Sequence, residues 1–365
     1  LQTSRMTVTA PASDDSDAET GGVLTLVGYD TDGKTVSADL RVGIGRTVDL
    51  TGRTANCYIA NYANAYYTFD GTVKGNGEKI PTARVELMWG STSHMIENLT
   101  LDDGRVSFFV AADKKGEFIE GNALIAAFDA QDKVVWSWHV WVTQYDPSAE
   151  SVTSAAGDVF MTRNLGAGAG GNATEDDIYL SYGLYYQWGR KDPFPWGQIV
   201  FDENNVPLTF LSTWSPVQSS GSPGSYEGYT GNTWYATAHP ETFIATTNAT
   251  SYDWYYGAGA GNGASYRNDE LWGNPLGYNA GQTTTKTLFD PCPPGWVVPH
   301  PYVCTASTPT GSSAAMSSGD VNVSGSFLQG WNFLYDGTNT TFYPGVGFRY
   351  DEYAVFSFLS AGYHW

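Results

Sequence analysis

The chain has 365 residues and carries 18 Lys+Arg against 38 Asp+Glu, a formal net charge of -20. A field of that sign repels phosphate backbones and anionic lipid surfaces, which argues against nucleic acid as a partner. No run of about 18 apolar residues occurs, so no helical bilayer span is expected.

The length predicts two domains of roughly 150 to 200 residues each. Hydrophobic residues make up 41% and aromatics 15%, while charged residues are only 15%, against about 25% in an ordinary soluble chain. A core is therefore well supplied, and much of the surface is expected to be Ser, Thr, Asn, Gly and Tyr.

Residues 1–21 are polar and acidic without periodicity and read as a flexible lead-in. The start at Leu1 has no basic end followed by an apolar run, so an export signal is expected to have been removed or never to have been there. From 22 to 147 short apolar runs alternate with turn signals. They are Val23–Val27, Val36–Val42, Cys57–Ile59, Val85–Trp89, Val106–Val110, Ala123–Phe128 and Val134–Val142, with Asp32-Gly33 and Asp103-Gly104 as hairpin turns. About seven such strands make a β-sandwich. In the last run, period two places Trp136, Trp138, Val140 and Val142 on one face and Val135, Ser137, His139 and Trp141 on the other. That strand is expected to be covered by core on one side and partly on the other.

Residues 148–157 read as a linker, because apolar periodicity lapses there. Beyond it, 158–365 is rich in Gly, Asn, Ser and aromatics in long irregular stretches. Trp188, Trp196, Trp214, Trp234, Trp254, Trp272, Trp296 and Trp331 are spread so as to peg such loops. The five histidines show no paired spacing, and His139 reads as structural. The three cysteines, Cys57, Cys292 and Cys304, are too scattered for a disulfide framework or a zinc site. They read as buried thiols, with a Cys292–Cys304 bridge as the open alternative.

Three stretches of the second half are distinctive: Met161-Thr162-Arg163-Asn164-Leu165-Gly166-Ala167, then Gly183–Phe194 around Gln187-Trp188-Gly189-Arg190, then Asp290-Pro291-Cys292-Pro293-Pro294-Gly295-Trp296 through Pro299. In order and spacing they resemble the Fibrobacter succinogenes major-paralogue domain family, with its C-type-lectin-like fold. Thr54–Ile59, Val73–Asn76 and Trp136–Trp141 are similar to the sandwich domain that precedes it in fimbrillin-type tip and accessory proteins of Bacteroidales. The resemblance implies an exported cell-surface adhesin of the fimbrium, made as a pilus-tip or accessory subunit that joins other pilus subunits by strand exchange. It implies an N-terminal β-sandwich (Ig/transthyretin-like) followed by an α+β C-type-lectin-like domain, mainly β overall. The family's further cysteine near the C-terminus has no counterpart here, which leaves the partner of Cys292 open.

Trp234-Tyr235, Trp254-Tyr255-Tyr256 and Trp272 lie among Gly, Asn and Thr, where an apolar ring face beside hydrogen-bonding neighbours suits a glycan or protein receptor. The alternative is that these rings peg the core. The lectin-like resemblance points to calcium, for which Asn268, Asp269 and Glu270 supply oxygen ligands, although their order departs from the calcium-lectin pattern. Asp269-Glu270, Glu175-Asp176-Asp177 and Asp351-Glu352 are the carboxylates a glycoside hydrolase would need, with solvated acidic loop as the ordinary reading. No G-x-S-x-G elbow is formed, and Gly257–Gly261 lacks the strand and helix of a dinucleotide site. No enzyme is therefore expected. The rival readings are a glycan-active or formylglycine-generating-like enzyme and a purely structural pilus subunit.

Overall fold

The computed structural model describes residues 20–29, 31–44, 46–113, 115–154, 157–170, 175–195, 199–210, 217–219, 233–246, 270–273, 285–299, 330–336, 338–344, 348–349 and 356–357. Among the described residues the architecture is mainly β, built from several sheets without a barrel.

Among the described residues up to Val142, ten strands form: β1 (Thr20–Tyr29), β2 (Thr35–Ile44), β3 (Thr47–Asp49), β4 (Cys57–Ala60), β5 (Ala65–Asp70), β6 (Arg84–Gly90), β7 (Ile96–Asp102), β8 (Arg105–Val110), β9 (Gly121–Phe128) and β10 (Val134–Val142). All seven expected runs lie in strands. The Asp103-Gly104 turn joins β7 to β8 with both residues at positive φ, 45° and 75°. That is the backbone a two-residue hairpin needs to match strand twist. β3, β5 and β7 lie outside the expected runs. In β7 the register slips between Glu97 and Thr100, and Asn98 sits at φ 54°. This bulge breaks the period-two pattern by which a strand is recognised.

β3-β5-β8-β7 form a four-stranded sheet, and β6-β9-β10-β4 form the middle and one edge of a six-stranded one. The two sheets enclose one core. Tyr67, Phe69, Val106, Phe108 and Val110 of the first meet Tyr58, Ile125, Trp136, Trp138 and Val140 of the second. Phe69 packs edge-on to Trp138 at 5.1 Å and stacks on Tyr58 at 4.6 Å, arrangements that the ring quadrupole favours. β1 and β2 pair over ten residues with each other and, among the described residues, join neither sheet.

The second half covers the opposite face of the six-stranded sheet. β11 (Val152–Thr153) pairs with β12 (Val159–Phe160), and the turn between Tyr145 and Val152 is a short helix α1 (Pro147–Glu150), capped by Asp146. β13 (Ile199–Phe201) sets Phe201 opposite Gly90 of β6 and pairs with β14 (Pro207–Thr209), which extends the sheet by two strands. Helix α2 (Thr233–Ala238) follows. Trp89, Leu124, Phe194, Val200, Phe210 and Phe243 form the second core, on this face. Residues 136–142 of β10 are consequently buried on both faces, where only partial cover was expected on the second. Among the described residues no helix is long and apolar enough to cross a membrane.

Candidate functional site

The second face of β10 carries polar side chains in a place where water is excluded, so each must find a partner or cost stability. Ser137 is 0% exposed, and its hydroxyl donates to Asp192 Oδ1 at 2.6 Å. Lys191 Nζ donates to the Ser137 carbonyl at 3.0 Å, to Ser137 Oγ, and to Asp192 Oδ1 at 2.5 Å, lying 4.4 Å from the Trp136 ring centre. Burial lowers the Lys191 pKa, and the Asp192 charge opposes that shift. Ser137 and Lys191 have the composition of a Ser–Lys nucleophile pair. Because the hydroxyl proton is directed at Asp192 and both residues are enclosed, the arrangement works as a clamp between β10 and the 183–194 block.

Arg190, 1% exposed, faces the other way. Its guanidinium donates to Gln187 Oε1 at 2.8 Å, to the Thr242 carbonyl at 2.6 Å, and to the carbonyls of His239 and Pro240 at 3.3 Å each. A cation at the C-terminal end of α2 satisfies carbonyls that the helix leaves open. Burial lowers its pKa to about 10, against the opposing pull of Asp192. Gln187 pairs its amide with both backbone groups of Ile244, at 2.9 and 3.1 Å. Tyr185 and Phe194 close the block by exchanging backbone hydrogen bonds at 2.9 and 2.8 Å. Gly189, at φ +82°, is required here, since a Cβ would lie 2.5 Å from Leu271 Cδ1.

The other two distinctive blocks converge on the same sheet. Asn122 of β9 donates to the Gly166 carbonyl at 2.8 Å and accepts from His139 at 2.9 Å. Asn56, beside β4, donates to the carbonyls of Leu288 at 2.7 Å and Asp290 at 2.9 Å and accepts from Trp136 Nε1 at 3.1 Å. Asp290, 0% exposed, accepts from the backbone N–H of Cys292 and Val298 and from Lys286 Nζ at 2.8 Å. Asn56 and Asn122 were missed in the sequence, where each is a single polar residue at a strand end. A buried, bonded amide in that position leaves no periodic signal.

The aromatic candidates separate. Trp234, on α2, is 37% exposed, with Tyr235 edge-on at 5.8 Å and Tyr235 in turn 4.2 Å from the His239 ring. Trp272 is 2% exposed; it donates from Nε1 to the Arg190 carbonyl at 3.1 Å and packs 4.7 Å from Trp188. It is a core peg, because a ring so enclosed offers no face to a ligand. Trp254, Tyr255 and Tyr256 lie outside the described residues. So do Asn268 and Asp269 of the calcium candidate, while Glu270 is exposed at a turn closed by Gly273 N–H to the Glu270 carbonyl. Among the described residues no group of three or more His, Cys, Asp or Glu is placed to hold a metal ion. Of the carboxylate candidates, Glu175–Asp177 fall in a 3-10 helix (Glu175–Ser181), and Asp351 and Glu352 lie outside the described residues. Cys57 and Cys292 are buried free thiols, and Cys304 lies outside the described residues. Glu241, missed in the sequence and half-buried after α2, is raised by burial to a pKa of about 7.

Compared with known protein families, with curated proteins and with solved structures, the chain finds no match in any of the three.

Proposed function

We propose that this protein is a bacterial cell-surface adhesin, a pilus-tip or accessory subunit that binds a glycan or protein receptor through residues 158–365 and docks through residues 22–147. In this reading the first part is an Ig/transthyretin-like sandwich and the second a C-type-lectin-like domain, as the resemblance of the three sequence blocks implies. The observation that carries it is Trp234: an indole 37% exposed on a helix whose far end is clasped by the buried Arg190. A rigid, half-wet aromatic ring offers contact area to a sugar ring or an epitope at little cost in conformational entropy.

Docking is supported by the β1–β2 hairpin. Among the described residues its strands form a two-stranded sheet of their own, and Val27, Tyr29 and Val36 are 61%, 74% and 50% exposed. Unpaired strand edges accept a strand from a neighbouring chain. The test is a glycan and extracellular-matrix array probed with the folded protein, with calcium and again with EDTA. Saturable binding that maps to 158–365 and falls at least about tenfold in Trp234→Ala is expected, a loss in the range of a buried aromatic contact. Silence on the array would instead favour a purely structural subunit.

A further inference from the structure

Leu165 packs against two neighbouring clusters, one holding Cys57 and the other Cys292. Cys57 opens β4, the edge strand of the six-stranded sheet, opposite His139 in the parallel register. It packs in a cluster with Trp141 and Tyr145 that also takes in Leu165. Cys292 packs with Trp272 and Val298, and Leu165 belongs to that cluster as well. The backbone beside each cysteine is tied to the other. Asn56, next to Cys57, donates to the Asp290 carbonyl at 2.9 Å, and Asp290 Oδ1 accepts the Cys292 N–H at 2.8 Å. Lys286 Nζ holds the Cys292 carbonyl at 2.7 Å.

Burial raises the pKa of both thiols; at Cys292 the Asp290 charge and then Cys57 add to it. Neither thiol is therefore poised as a nucleophile in the folded protein.

We propose that Cys57 and Cys292 are the two halves of a disulfide that forms as the protein folds in oxidising surroundings and staples the 285–299 segment to the sheet edge. The oxidant is a small-molecule disulfide. One cysteine thiolate attacks it, forming a mixed disulfide and releasing one thiolate, which takes up a proton. The second cysteine, deprotonated, then attacks the mixed disulfide, forms the Cys57–Cys292 bond and releases the second thiol. Two cysteine thiols are oxidised and one disulfide is reduced to two thiols. Because both positions are closed to solvent in the fold, the exchange takes place before the seam shuts.

The experiment is refolding of the full chain in a mixture of oxidised and reduced glutathione. Alkylation in denaturant, proteolysis and mass spectrometry of the cross-linked peptides follow. A peptide pair joining Cys57 to Cys292 is expected, and it persists in Cys304→Ala. The oxidised protein should unfold at a higher urea concentration than the same protein reduced. Alkylation of both Cys57 and Cys292 after refolding, or a Cys292–Cys304 peptide in place of the expected one, would overturn the proposal. The peptide readout needs no folded variant, because it is made on the unaltered chain.

Discussion

His139 and Asn122 are joined in the interior: Nε2 of the imidazole donates to the Asn122 Oδ1 at 2.9 Å, while the Asn122 Nδ2 donates to the Gly166 carbonyl at 2.8 Å. The first bond links two strands of one sheet, and the second reaches the second half of the chain. His139 Nδ1 is buried with no hydrogen-bond partner among the described residues, and burial holds the ring's pKa down at about 3.

A pH dependence follows. Between pH 6.5 and about 3 the unfolded chain binds a proton at His139 that the folded protein refuses. This contribution is therefore present above pH 6.5 and is lost as pH falls through that window. Glu241 works the other way. Its folded pKa of about 7 exceeds the ordinary 4.5, so its contribution is present below pH 4.5 and is lost as pH rises through 7. The two oppose each other over pH 4.5–6.5. Glu241→Gln is expected to steepen the acid loss of stability, by at most about 1.4 kcal/mol per pH unit. His139→Gln should turn that slope toward greater stability at lower pH. Urea midpoints from pH 4.5 to 7.5 decide it, and parallel curves for both variants and the parent would count against the account.

Lys191 and Asp192 form a buried ion pair with side chains 1% and 3% exposed. Removing one partner leaves a charge stranded in a dry interior, so Asp192→Asn is expected to cost about 3–5 kcal/mol. The double replacement Lys191→Met with Asp192→Asn should recover part of that loss. A double-mutant cycle by urea denaturation measures the coupling; additive effects would show that the pair does not act as a unit.

Gly166 has φ +81°, and a Cβ there would sit 2.5 Å from Leu184. Gly166→Ala combines left-handed strain with a side-chain overlap and is expected to destabilise by at least about 2 kcal/mol. Its neighbour in sequence, Ala167, is fully buried. Calorimetry on the purified variant checks this.

Trp272 and Trp234 share a Gly/Asn/Thr-rich sequence setting but differ in burial, and are expected to behave differently. Trp272→Ala empties an enclosed site and is expected to cost about 3–5 kcal/mol. Trp234→Ala, at a ring 37% exposed, should change stability by less than about 1 kcal/mol. Thermal unfolding of the two variants side by side reads the difference, and equal losses would mean that Trp234 is a peg as well.

Asn56 holds the 285–299 segment through two carbonyls and also receives Trp136 Nε1. Asn56→Ala strands these groups, at about 1–3 kcal/mol. Amide hydrogen exchange should rise selectively at 285–299; a uniform rise along the chain would show that the segment is not held locally by this side chain.

The sequence by itself determined the β character of the first half, because apolar residues recurring every second position and an Asp-Gly turn are local consequences of strand geometry. It also set the net charge of -20. Tertiary structure alone decided that β1 and β2 stand apart from both sheets, that β13 and β14 extend a sheet begun more than a hundred positions earlier, and that the second face of β10 is sealed. It also decided where the polar residues go. Ser137 meets Asp192 across 55 positions and Asn56 meets Asp290 across 234. A polar side chain in a strand carries the same local pattern whether it faces water or a partner. Only the folding of one segment onto another settles which of the two it meets.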